Sequence, residues 1–169
     1  MRILGIDPGS RLVGYGCIDR LGNQILYVAH GTLQIGALSG PSALDLGGRL
    51  LLIHEMLSQV MMQLKPHIMV VEDVFFAKNA LSALKLGQAR GVVIVTGKIH
   101  GLKLEEYSPT QVKKAVVGYG HADKEQVAKM VQLILGQKTF GTLDASDALA
   151  LAICHAQMMR SSYREGKAL

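Results

Sequence analysis

Cysteine is scarce in this chain. The two thiols, Cys17 and Cys154, stand far apart and lack the close spacing of metal ligands. No cysteine metal site is therefore in view, and both read as reduced core residues. Long apolar runs are missing too. Segments such as "GVVIVTG" stop far short of the about 18 residues needed to cross a bilayer, so no membrane partner is expected. The opening "MRILGIDPGS" has no extended apolar region of the signal-peptide kind, which predicts a cytoplasmic protein. Internal repeats, low-complexity runs and linkers are also lacking. What remains is 169 residues, 49% hydrophobic and 18% charged. That composition predicts one soluble globular domain over 1–160, followed by a short C-terminal tail at 161–169.

Charge is modest, at a net +5, but unevenly placed. Residues 81–138 hold nine Lys and Arg against four acids, Glu105, Glu106, Asp123 and Glu125. This third of the chain carries the whole excess, which suits a polyanion such as nucleic acid. A solvated helical surface explains the same excess equally well.

Residues 2–18 read as a strand, a turn at "DPGS" and a second strand. "QILYVAHGTLQI" reads as a third, completing an antiparallel meander. Between Ser42 and Lys65, apolar residues recur at helical spacing until Lys65-Pro66 stops the pattern. "HIMVVEDVFF" starts as a strand buried on both faces does. The next helix, "NALSALKLGQARGVVIVTGKIHG", places small residues at Ala83, Gly87 and Gly91. Glycine costs about 1 kcal/mol in a helix interior relative to alanine, so close packing is expected there. "KLEEYSP" is a fifth strand, "PTQVKKAVVGYG" and "HADKEQVAKMVQLILG" contain helices, and the last helix runs from 144 to about 160. The class is α/β: a mixed five-stranded sheet flanked by helices.

Four acids sit in unusually apolar surroundings. Asp7 ends the strand "ILGIDPG" on the face of Ile3 and Gly5, and Glu72 shares a face with Ile68 and Val70. In "TLDASDALALAIC", Asp144 and Asp147 open the last helix, and Asp147 aligns with Leu151, Cys154 and Met158. Bare anions brought together in low dielectric raise one another's pKa, and a divalent cation removes the conflict. Carboxylate oxygens are what Mg²⁺ and Mn²⁺ prefer, and an all-carboxylate site fits two-metal phosphodiester hydrolysis. Each acid also has an ordinary explanation. Asp7 could start the "DPGS" turn, Glu72 could pair with a lysine, and Asp144 could be a helix N-cap.

Four segments together, "ILGIDPGSRLVGYG", "VVEDVFFAKNALSALKLGQARG", "QVKKAVVGYGHADKEQV" and "LDASDALALAICH", resemble the RuvC family of Holliday-junction resolvases. The likeness covers nearly the whole chain in the family's order. It implies the ribonuclease H-like fold, a homodimer, and Mg²⁺ or Mn²⁺ as cofactor, with two ions at each active site. It also implies a four-way DNA junction as substrate, nicked symmetrically on two strands of like polarity, and a branch-migration motor complex as partner. By position, the family's catalytic and metal-binding acids correspond to Asp7, Glu72, Asp144 and Asp147. Some members carry histidine for one acid of the final pair; here both are aspartate. Phe75 matches an aromatic that stacks on bases near the crossover, and stacking is worth about 1–3 kcal/mol. Lys113 and Lys124 match basic residues near the scissile phosphate, with Lys114 an adjacent alternative to the first. Lys78 and Asn79 of "FFAKNA", with Lys85, Arg90 and Lys114 of the basic stretch, are further expected DNA contacts. His121 receives no role.

A two-fold junction needs two equivalent cuts, which a two-fold dimer supplies. The helix bearing Gly87 and Gly91 is the candidate interface, unless those glycines pack on their own sheet. Other readings stay open. The "GIDPGSRLVGYG" hairpin also resembles the phosphate cradle of actin- and sugar-kinase-like ATPases, which need two such domains. A binding module that kept the fold would have lost an acid. A nuclease for RNA–DNA hybrid would carry the same acids.

Overall fold

The computed structural model describes residues 1–9, 11–36, 44–73, 80–137 and 139–165, with side chains through 159. The strands are β1 (Arg2–Asp7), β2 (Leu12–Leu21), β3 (Gln24–Gln34), β4 (Ile68–Glu72) and β5 (Lys103–Tyr107). The helices are α1 (Leu46–Leu64), α2 (Ala80–Ile99), α3 (Pro109–Val117), α4 (Lys124–Leu135) and α5 (Leu143–Glu165).

The sheet order is β3-β2-β1-β4-β5. The first three strands form the expected antiparallel meander, and β4 and β5 add in parallel beside β1. Alternation along β1 divides the core in two. Ile3 faces a cluster built with α3, α4 and α5, whereas Leu4 and Ile6 face a second cluster built with α1 and α2. Both faces of the central strands are covered, as parallel pairing requires.

Local chemistry sets the element ends. Asp45 caps α1 by accepting from the Gly48 N–H at 2.6 Å, and Lys65, before Pro66, closes it in the left-handed region. Ser108 and Asp123 start α3 and α4 through capping boxes with Gln111 and Gln126, and Pro109 occupies the first turn of α3. The last helix runs to Glu165, past the expected end near 160. No glycine or proline interrupts the chain between Leu143 and Glu165, so nothing stops the helix where the tail was expected to begin.

The tightest packing lies between α5 and the β1–β2 hairpin. A Cβ added at Gly5 would overlap the Ala148 carbonyl oxygen, and one at Gly14 would run into the Asp144 carbonyl group. At Gly16 it would stand 2.6 Å from the Leu149 backbone nitrogen. The backbone of α5 therefore rests directly on the strands. Gly87 and Gly91 differ: among the described residues nothing lies within 4 Å of where their Cβ would be. They do not pack on their own sheet.

These glycines yield opposite expectations. Gly5→Ala forces α5 off the sheet, and thermal unfolding should show a loss of about 1–3 kcal/mol or more, as overpacked cores do. Gly87→Ala should be neutral or gain up to about 1 kcal/mol from helix propensity. Equal effects of the two would refute the packing assignment.

Candidate active site

Register brings the first two acids together. Ile6 lies opposite Val71 on parallel strands, so Asp7 and Glu72 follow side by side at neighbouring strand ends. Helix α5 crosses this end of the sheet on the face shared by both side chains. Its start is capped by Thr142, whose hydroxyl accepts from the Ala145 N–H at 3.3 Å. The capping role expected for Asp144 thus belongs to Thr142, and both aspartates lie inside the helix.

Asp7, Glu72 and Asp147 line one cavity of about 210 Å³ with Lys113 and Lys124. Pro109, Val112, Val127, Ala150 and Leu151 form its apolar wall. Three carboxylates from β1, β4 and α5 and two ammonium groups from α3 and α4 therefore share one opening. Asp144 does not line it, yet its charge acts on Asp7. Lys113 is in the wall and Lys114 is exposed outside it, which separates the two adjacent lysines left open by the sequence. His121 is exposed and outside the wall.

Electrostatic conflict is visible in the acids. Burial pushes the Asp7 carboxyl up to about 7, and the charges of Asp147, Glu72 and Asp144 add to the rise. Glu72 is raised by burial and then by Asp147, with Lys124 and Lys113 opposing. Lys124 Nζ donates to Asp147 Oδ2 at 2.8 Å, and this hydrogen bond holds the ammonium above its ordinary range. Its side chain is 66% exposed, so the pair is of the surface kind, worth about 1 kcal/mol or less, and the ammonium is easily drawn to a better anion. Among the described residues no three His, Cys, Asp or Glu side chains are gathered closely enough to cage an ion. The donor set nevertheless fits a hard divalent cation. Carboxylates that raise one another's pKa want added positive charge, and Lys124 supplies it only in part.

The other expected DNA contacts are spread out. Phe75, Lys78 and Asn79 lie outside the described residues. Lys85 is exposed beside Leu46 and Arg49, on the α1–α2 face of the sheet. Arg90 points inward: its Nε donates to the Glu72 carbonyl oxygen at 3.1 Å, its Nη2 meets the Glu106 carboxylate, and Asp73 lies 3.9 Å away. Two carboxylates thus face the guanidinium that was expected to contact DNA. The basic stretch is thus not one patch. Lys113 and Lys124 reach the cavity, while Lys103 pairs with Glu105 at 2.7 Å.

Sequence reading missed the partners behind the acids. His155 is buried, and its Nδ1 bonds to the Tyr107 hydroxyl at 2.8 Å, tying α5 to β5 beneath the cavity. Burial lowers the His155 pKa and raises that of Tyr107 to about 12, so both stay neutral at ordinary pH. The signal was present, because His155 follows Asp147 and Leu151 at four-residue steps. Met158, expected on the same inward face, is 41% exposed because α5 has by then passed the sheet. Both cysteines are free and buried, with thiols pushed up to about 12, as inert core residues should be.

On the opposite face, α1 and α2 leave an apolar groove of about 550 Å³ lined by Leu50, Leu51, Gly91, Val92, Val95 and Ile99. Val95 is 57% and Ile99 66% exposed. No described helix is long and apolar enough to cross a membrane.

Comparison with known proteins adds a second line. A family model described as Crossover junction endodeoxyribonuclease RuvC matches residues 3–155. A Geobacter sulfurreducens protein of that name is 51% identical over 166 residues, spanning 97% of this chain and 98% of the relative. A Brucella ovis protein of the same name is 44% identical over 161 residues, or 95% of this chain and 90% of the relative. The solved structure of Thermus thermophilus RuvC in complex with Holliday junction substrate superposes with a TM-score of 0.85 at 32% identity, covering 96% of each chain. The yeast mitochondrial Holliday junction resolvase shares the fold, with a TM-score of 0.65 at 13% identity over 96% of this chain and 83% of that one.

The Asp7 shift sets a pH dependence without metal. Because its folded pKa lies above the ordinary carboxylate value, its contribution to stability is fully present below that value. It is lost as pH rises through about 7. In chelator, melting temperature should fall between about pH 4 and about pH 7, and Asp7→Asn should flatten that fall. At about pH 8 the variant should melt above the native protein. A variant that melts lower there would show that the carboxylate is not under strain.

Proposed function

The chain belongs to the RuvC family of crossover junction endodeoxyribonucleases, and on that premise we propose that it resolves four-way DNA junctions by paired, symmetric nicks of like-polarity strands. The observation that carries the reading is the convergence of Asp7, Glu72 and Asp147 on one cavity with Lys113 and Lys124. The likeness to the junction-bound Thermus thermophilus protein supports the substrate.

The reaction is phosphodiester hydrolysis. A water oxygen bonds to phosphorus as the P–O3′ bond breaks, leaving a 5′-phosphate and a 3′-hydroxyl. Asp7, Glu72 and Asp147, with Asp144 behind them, would hold Mg²⁺, with Mn²⁺ as substitute and two ions to a site. Bound there, the metal supplies charge neutralisation and an activated water. The chain's own groups do the rest. Carboxylate oxygens of these acids would accept hydrogen bonds from the attacking water and orient it. The Lys113 ammonium stands near Glu72, where it meets a phosphate oxygen. Lys124 can pass from Asp147 to the phosphate as negative charge builds on it, and donors aimed at developing charge are a large part of catalysis. Val112, Val127 and Leu151 limit the water around the reacting centre.

The homodimer belongs to the same reading. Exposed Val95 and Ile99, with Gly91 open to close approach, make the α1–α2 groove suited to a second copy. Phe75, Lys78 and Asn79, in the segment that leaves the Glu72 strand end, would meet bases and phosphates at the crossover. Lys85 and Lys114 would add phosphate contacts. A branch-migration motor in the cytoplasm is the expected partner.

Two experiments test this. With Mg²⁺, the protein should nick a synthetic mobile junction in symmetric pairs and leave duplex and RNA–DNA hybrid uncut. Asp7→Asn should reduce cutting by at least a factor of about 100, while junction affinity stays within about threefold. Cleavage of hybrid instead, or of nothing, would refute the reading. Separately, Ile99→Glu should convert a dimer to a monomer in sedimentation, with paired cuts replaced by isolated nicks. A dimer that persists with Glu at that position would place the interface elsewhere.

A further inference from the structure

Arg90 lies on α2, the groove-lining helix, yet its guanidinium reaches across to the catalytic end of the sheet. Three groups, two at the end of β4 and one on β5, receive it. Nε donates to the Glu72 carbonyl oxygen at 3.1 Å, Nη2 meets the Glu106 carboxylate on β5, and Asp73 Oδ1 is 3.9 Å away. The side chain is only 23% exposed, so these contacts are better shielded than a surface ion pair. Asp73 is itself fastened, its N–H donating to the Tyr107 carbonyl oxygen at 2.9 Å. This bond continues the β4–β5 ladder one step beyond Glu72, which pairs with Tyr107. The strand end that carries the Glu72 carboxylate is therefore gripped from β5 by a backbone bond and from α2 by Arg90.

From this geometry we infer that Arg90 is a positioning residue, holding the Glu72 strand end against α2, and that it makes no phosphate contact. The charges agree. Asp73 and Glu106 flank the guanidinium, so the local sum is negative and an approaching phosphate would be repelled. The choice of arginine follows too. One planar fork serves a carbonyl through Nε and a carboxylate through Nη2, whereas a lysine ammonium offers a single point. Asp73 is also the last described residue before the segment bearing Phe75, and that segment rejoins the described chain at Ala80, the start of α2. One side chain on α2 thus braces the end of β4 at Glu72 and Asp73.

The inference rests on the proposed nuclease reading, and its test separates the two. Junction affinity without divalent cation is measured across a salt series, and cleavage at saturating protein is measured in single turnover with Mg²⁺. The proteins compared are native, Arg90→Lys, Arg90→Gln, Glu106→Gln and the double variant Arg90→Gln/Glu106→Gln. Melting temperature is recorded for each, and cleavage is assayed well below the lowest of them. Both Arg90 variants should cut at least about tenfold more slowly at saturation, with affinity within about twofold and an unchanged salt slope. Glu106→Gln keeps an acceptor and should lose less, and adding it to Arg90→Gln should cost little more, because the two act through one contact. A phosphate contact predicts the reverse: weaker binding, a salt slope smaller by about 0.9 and a preserved rate at saturation. That result would overturn the inference, as would variants that cut at the native rate. Native protein that cuts no junction would instead remove the nuclease reading, and the inference with it.

Discussion

Everything at the candidate active site depends on how closely α5 lies on the β1–β2 hairpin. Gly5, Gly14 and Gly16 leave no side chain between the strands and the helix backbone. Any Cβ there would displace a helix whose second turn carries Asp147. The absence of three methyl groups is thus as necessary to the site as the presence of three carboxylates. Close approach also shields the acids, because helix and sheet exclude water from each other where Gly5 meets Ala148. The raised Asp7 carboxyl is the electrostatic record of that packing.

The same closeness explains the two lysines. Carboxylates held together in low dielectric need positive charge, and the chain supplies some of it from α3 and α4, whose starts are fixed by capping boxes. Asp123 and Gln126 hold the first turn of α4, and Lys124 sits in that turn. Local helix-start chemistry therefore aims a cation across space at an aspartate on another helix. Behind the site, the Tyr107–His155 pair and the Arg90 contacts anchor the supporting elements to one another. None of Tyr107, His155 and Arg90 lines the cavity, although Arg90 holds the backbone of Glu72, which does. Both pairings restrict how far the acids can drift apart.

Much of this was legible in the residue order. Alternation along "ILGIDPG" and "HIMVVED" put Asp7 and Glu72 on the inward face, and four-residue steps in α5 put Asp147 there. Local periodicity decides such matters. Pairing across the sheet was less visible, since no pattern within a strand says that β1 sits between β2 and β4. Other residues kept several possible roles that local pattern alone left open. Asp144 resembled a cap until Thr142 was seen to accept the Ala145 N–H. Arg90, expected among the DNA contacts, has Glu106 and Asp73 beside it. Gly87 and Gly91 promised close packing, yet among the described residues nothing approaches them. A sequence reports what a residue can do, and three-dimensional neighbours decide which of those things it does.

The order of the acids along the chain has a consequence for when the protein can act. Asp7 belongs to the first strand, Glu72 to the fourth, and Asp147 to the helix that follows all the other elements. A chain still emerging during synthesis holds one or two of these carboxylates and none of the helix that closes the cavity. Its β1–β2 hairpin, with the glycine track uncovered, has nothing to set the acids against. The cavity and its three carboxylates are therefore assembled only when the last helix docks.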